Sequence, residues 1–266
     1  MAVGLLFLAI MQQMISWSLL MRGLGVVIPL KEALRGYILS FLPRYIPGTV
    51  WGYLSRGEWL MQDYQTPYAI SNLGSVIEIF IAVFSNVIVI FLYLFASLKG
   101  SNRFLVILAF LVLVFATWWI IRRGLSSRMV MSAYLGNPPP FSLTVWLLCL
   151  LLITFNMFAY GASLYVTIMS MNVTAEALTF WGNWLQLTYT FSIAWLIGFL
   201  VFVFPSGLGL REVTLAGLLV INFSLSFESA SAVSVLFRLW VTVAELLWIM
   251  VVSWHWIGKK FTRTLS

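Results

Sequence analysis

Apolar residues along this chain fall into long runs, not into the alternation of a strand or the one-sided stripe of a surface helix. Predominantly apolar stretches cover residues 2–21, 68–97, 104–121, 141–170, 177–204 and 229–257. Each approaches or exceeds the roughly 20 residues that a helix needs to cross a bilayer. Polar punctuation lies between them: Arg22 with Lys31, Glu32 and Arg35, then Lys99 and Arg103, then Arg122, Arg123, Arg128 and the prolines at 138–140, and last Lys259, Lys260 and Arg263. The pattern predicts about six full spans, with 68–97 and 104–121 paired as a helical hairpin.

Two stretches break the pattern. Residues 36–60 are apolar but hold Pro43, Arg44, Pro47, Gly48, Gly52, Arg56, Gly57 and Glu58, which cannot form one clean lipid-facing helix. The segment FPSGLGLRE at 204–212 interrupts the second half and leads into a short apolar helix ending near 222. The two breaks occupy comparable places, each with proline, glycine and an Arg/Glu pair. They predict broken or re-entrant segments and a candidate internal repeat, 1–128 against 141–266, of the kind found in transporter folds.

Composition sharpens the class. The chain is 62% hydrophobic and 9% charged, with a mean hydropathy of +1.01, where soluble domains carry about 25% charged residues. The expectation is therefore one all-α integral membrane domain over 1–266, with almost no mass outside the bilayer. The net charge of +7 does not indicate nucleic acid, because the basic residues are scattered as short clusters between apolar runs. Such clusters set topology and touch lipid headgroups. They place 122–140 and the basic tail on the cytoplasmic side and the N-terminus outside, which requires 205–222 to act as a broken crossing. Residues 2–21 are read as a retained span, with no signal peptide preceding cleavage.

Candidate chemistry is sparse. Cys149 is the only cysteine and His255 the only histidine, so neither a disulfide nor a metal site is expected, and no cofactor is implied. Cys149 reads as a buried, inert thiol and His255 as an interfacial anchor between Trp254 and Trp256. No GxSxG, P-loop or HExxH pattern is present.

The charges inside apolar segments remain. A charge near mid-bilayer costs at least about 2.5–3.5 kcal/mol on insertion scales, so it faces a bundle interior and has a partner. Glu78, Arg238 and Glu245 meet this description, with Arg211 or Arg238 the expected partner of Glu78. Arg238 and Glu245, seven residues apart, share one helix face. For Arg211 and Glu212 two readings stand: an anion site at a helix start, where free amides and the helix dipole attract negative charge, or an interfacial pair capping a loop. For the buried charges the rival reading is an internal salt bridge that locks the bundle.

PRYIPGTVWGYLSRGEWL at 43–60, PSGLGLREVTLAGLL at 205–219 and the later Arg238 resemble the lysylphosphatidylglycerol synthase transmembrane-region, flippase-like family. In that family a Pro-Gly loop precedes an arginine, and a PGGLGxRE-like loop precedes a helix. The resemblance covers nearly the whole chain. It implies a lipid translocase in which Pro47, Gly48, Arg56, Gly207, Gly209, Arg211, Glu212 and Arg238 line a headgroup cavity; Arg44, with Arg56 a charge inside an apolar region around the Pro-Gly turn, is a substrate-binding candidate on that ground. Ser206 replaces a usual glycine, and residues 1–266 read as lacking one N-terminal helix common in the family. They hold no stretch that reads as a soluble aminoacyl-transfer domain, so synthase activity is not expected of them.

The resulting expectation is a flippase-like transporter of an anionic phospholipid or polyprenyl-linked lipid, not an enzyme, in a prokaryotic plasma membrane. Its partners would be anionic lipids, and a homo-oligomer or a membrane partner is compatible with the sequence. Transport would be passive or driven by an ion gradient, with Glu78 and Glu245 as coupling candidates. Two rival classes are an accessory subunit of a lipid-modifying or glycosyltransferase system, and an integral membrane enzyme using Glu58 or Glu212 as acid or base.

Overall fold

A computed structural model of the chain describes residues 1–46, 51–98, 102–125, 141–173, 178–200 and 209–264. Among these residues every regular element is helical. In chain order they are α1 (Ala2–Gly23), α2 (Leu30–Ile38), a 3₁₀ turn (Pro43–Tyr45), α3 (Trp51–Tyr64), α4 (Tyr68–Ser97), α5 (Asn102–Leu125), α6 (Leu143–Met171), α7 (Phe180–Leu200), α8 (Leu210–Phe223) and α9 (Phe227–Thr264).

Local sequence sets the boundaries. Pro29 and Pro67 stand immediately before α2 and α4, where a residue without an N–H interrupts no helical hydrogen bond. The Ser142 hydroxyl accepts the Val145 N–H and opens α6, and Asn172, in a left-handed conformation at φ +50°, closes it.

α1, α4, α5, α6 and α9 are long and apolar enough to cross a membrane, and the protein is a membrane-embedded helical bundle. α7 supplies the sixth expected length, 21 residues without an Asp, Glu, Lys or Arg. Its apolar density is lowered by Asn183, Gln186, Thr188, Thr190 and Ser192, and the last three are buried within the bundle. The 14 residues of α8 reach about 21 Å, short of a hydrocarbon core of about 30 Å. A crossing over 205–222 would therefore also require residues 201–208, which lie outside the described set.

α1 is the central post, packed against α2, α4, α6 and α9. Its junction with α6 is a repeating polar ladder inside an apolar core. Cys149 Sγ lies 3.5 Å from the carbonyl of Ser16, Asn156 Nδ2 donates to the carbonyl of Ala9, and Ser163 Oγ donates to that of Ala2 at 3.1 Å. Positions 149, 156 and 163 oppose 16, 9 and 2, so the rungs recur every seven residues on two antiparallel helices. A seven-residue repeat keeps one seam facing the partner along both helices. Gln12 adds a bond to the carbonyl of Leu152. Each interhelical bond in a bilayer is worth about 0.6–2 kcal/mol.

Small residues set the other close approach. A Cβ on Gly161 would lie 2.9 Å from the Cα of Thr188, which brings the α6 and α7 backbones together. α5, in contrast, lies at the edge against α4, and most of its apolar side chains are exposed. In a bilayer this surface faces lipid tails.

The two breaks produce similar hairpins. α3 and α8 each have 14 residues and pack on the long helix that follows, α4 and α9. Each is joined to it by a three-residue link whose first residue is left-handed, Gln65 at φ +51° and Ser224 at φ +52°.

Candidate functional site

The hairpins meet α2, α6 and α7 around a cavity of ≈ 180 Å³. By the same measure a single water needs about 10–15 Å³, so the space suits a small polar group or several waters. Arg56, Glu78, Arg211, Arg238 and Glu245 all line it, although they come from five separated positions on four helices.

On the first-half side, Arg56 on α3 is 2% exposed and its Nη2 lies 2.6 Å from Glu78 Oε2 on α4. The Tyr37 hydroxyl donates to the other carboxylate oxygen at 2.9 Å. The rings of Tyr37, Tyr53 and Trp17 surround the guanidinium, 4.7, 5.0 and 5.2 Å from its central carbon. Such contacts compensate a desolvated cation, but Nε and Nη1 of Arg56 are buried without a hydrogen-bond partner. The expected pairing of Glu78 with Arg211 or Arg238 is thus corrected. Arg56 is closer because α3 folds back onto α4, and a salt bridge at 2.6 Å saturates the carboxylate.

On the second-half side, Gly209 occupies the residue before α8 at φ +85°, a conformation in which a side chain is strained. Its N–H donates to Glu212 Oε2 at 2.7 Å, so Glu212 caps its own helix. The other oxygen of Glu212 lies 3.7 Å from Arg238 Nε on α9. Tyr45, from the first break, passes beneath the Arg238 guanidinium at 5.6 Å and donates to Glu245 Oε2 at 2.9 Å. One tyrosine thereby ties the first break to the last helix.

Arg211 differs from its neighbours. It is partly exposed to the cavity, and its guanidinium rests 4.8 Å over the Phe191 ring of α7. Among the described residues it has no ion pair and no side-chain hydrogen bond. The capping reading thus holds for Glu212 and not for Arg211. Gly198 of α7 holds Arg211 in place: a Cβ there would be 2.8 Å from Arg211 Cβ and 3.4 Å from its Cα.

The structure therefore brings Arg56, Arg211, Arg238, Glu78 and Glu245 to one cavity, whereas Gly209 and Glu212, expected to line it, stand behind it at the start of α8, with Glu212 reaching it only through Arg238. Pro47, Gly48 and Gly207 lie outside the described residues, as does the side chain of Arg44, whose backbone belongs to the 3₁₀ turn. Glu58 is exposed on α3, hydrogen-bonded to Gln62 and Tyr68. Those bonds hold its carboxyl below the usual range, which weakens it as a base, and it does not line the cavity. Among the described residues no group of three His, Cys, Asp or Glu could hold a metal. Cys149 is buried as expected.

Sequence reading did not single out Tyr37, Gln13, Tyr160 or Gly198, all at the cavity. A tyrosine in a membrane chain resembles an interfacial anchor, and a glycine inside a helix gives no sign of the backbone it approaches. Compared with family models, curated proteins and solved structures, the chain finds no match.

Proposed function

We propose that this chain binds the anionic, phosphate-type headgroup of a lipid in the Arg56–Arg211–Arg238 cavity and moves that lipid between leaflets. The observation that carries this reading is Arg211: a guanidinium lining a polar cavity in a membrane bundle, with no carboxylate at ion-pair distance among the described residues. A buried cation ordinarily has a partner, and a phosphate oxygen pair matches the guanidinium fork.

The resemblance to the flippase-like family points the same way, as do the paired hairpins, which put one break from each half beside a single cavity. The reading assigns no chemical step and no nucleotide, consistent with passive or ion-driven movement. Glu78, held by Arg56 and Tyr37, and Glu245, held by Tyr45, remain its coupling candidates.

Native mass spectrometry of the detergent-purified protein, wild type beside Arg211→Ala, tests the site. A co-purified phospholipid or polyprenyl phosphate should be retained by the wild type and lost from the variant, and lipid scrambling in reconstituted vesicles should slow in parallel. Equal lipid retention and equal scrambling by both proteins would overturn the assignment.

A further inference from the structure

Glu212 occupies the position that an anion would take at the start of α8. Its Oε2 accepts the Gly209 N–H at 2.7 Å and its Oε1 faces Arg238 Nε at 3.7 Å. Glu212 itself does not line the cavity, but Arg238, which it faces, and Arg211, one residue earlier, both do. The second distance is too long for a hydrogen bond, and Nε and Nη2 of Arg238 are buried without an acceptor. Across the cavity, Arg56 is 2% exposed and also holds two nitrogens without acceptors. These donors are partly neutralised by internal carboxylates while their hydrogen-bonding capacity stays open.

From this we infer that Glu212 is an internal competitor: its carboxylate stands in for the ligand between the α8 start and Arg238, and an entering phosphate-type anion displaces it. The inference rests on the anion-binding reading of the cavity. Charge decides the competition. A bound phosphate that bridges Arg211 and Arg238 would share Arg238 with the Glu212 carboxylate, 3.7 Å from Nε, and two negative charges on one guanidinium repel. Release of Glu212 from Arg238 relieves that repulsion and breaks one polar contact between α8 and α9, so occupancy of the site is coupled to that contact.

The substitution Glu212→Gln separates charge from structure. Glutamine keeps an oxygen that can accept the Gly209 N–H, since Gln and Glu are interchangeable in this cap, but it removes the negative charge. Full-length wild type, Glu212→Gln and Glu212→Ala, each with and without Arg211→Ala, are titrated with inorganic phosphate and with phosphatidylglycerol in mixed micelles. Binding of at least one probe should tighten by about ten-fold or more in both Glu212 variants. Thermal stability should fall further for Glu212→Ala, which also loses the cap, than for Glu212→Gln, which loses only the charge facing Arg238. The probe that shows the gain identifies the ligand source as free phosphate or a lipid headgroup. No gain with either probe, while binding still depends on Arg211, overturns the competitor role alone. Binding that is insensitive to Arg211 overturns the cavity reading beneath it.

Discussion

Gly198→Ala is the sharpest test of how α7 positions the site. The added methyl would lie 2.8 Å from Arg211 Cβ and 3.4 Å from Arg211 Cα. Unbonded carbons settle at about 3.5–4.0 Å, so α8 must retreat by about 1 Å. Forcing an extra carbon into a packed junction costs about 1–3 kcal/mol, offset by at most about 1 kcal/mol of improved helix propensity. A net destabilisation of about 1–2 kcal/mol is expected. The same retreat lengthens any hydrogen bond from Arg211 to a bound anion beyond useful range. A charge-assisted bond contributes about 1.5–3 kcal/mol, so phosphate affinity should fall about ten- to a hundred-fold.

Gly217→Ala is the matched control. Gly217 lies in α8 itself, and a Cβ there meets nothing within 4 Å. That variant should gain up to about 1 kcal/mol from propensity alone and bind as the wild type does. Unfolding can be followed with a maleimide fluorophore, because Cys149 is the only cysteine and is buried between α6 and α1. It becomes reactive when those helices separate. If Gly198→Ala melts and binds like Gly217→Ala, the close approach of α7 to Arg211 does not position the site.

Breaking the first-half pair should be costly on either side: Arg56→Gln or Glu78→Gln leaves one buried charge unmatched, for a loss of about 3–5 kcal/mol. The double variant, with neither charge, should recover most of it, as read by the same thermal assay. Asn156→Ala removes the middle rung of the α1–α6 ladder and should lower stability by about 0.6–2 kcal/mol, with little effect on phosphate affinity, because none of the rung residues lines the cavity. Gly36→Ala would place a methyl 2.2 Å from Trp59 Cζ3. It should displace that ring and lower the melting temperature, since overpacking costs about 1–3 kcal/mol. Trp59→Leu in the same chain should relieve the clash and return part of the loss.

How much was legible from the sequence follows from which properties are local. Hydropathy and backbone punctuation belong to each stretch of chain by itself. The run at 68–97 became α4 with the same bounds, and in each of the two stretches rich in proline, glycine and arginine a short helix begins, α3 and α8. A bilayer excludes unpaired backbone groups wherever the partners lie, so this level of structure needed no tertiary information. The cost of a charge inside an apolar span marked Glu78, Arg238 and Glu245 as residues facing the interior, and all three line the cavity.

Pairing is different in kind. That Glu78 must meet a cation follows from the energy of a buried charge. That the cation is Arg56 depends on α3 folding back against α4 at 2.6 Å, which no periodicity encodes. The seven-residue ladder joining α1 and α6 was hidden for a related reason. Cys149, Asn156 and Ser163 bond to backbone carbonyls, which every residue possesses, so the partner helix carries no side-chain signature. Tyr37 and Gly198 gain their roles only from what lies opposite them, a carboxylate and an arginine backbone. The sequence by itself determined that this chain lies in a membrane, where its helices run and which charges turn inward. Only the tertiary structure decided which charges neutralise one another and left Arg211 facing the cavity, because partner choice depends on distances between helices far apart in the chain.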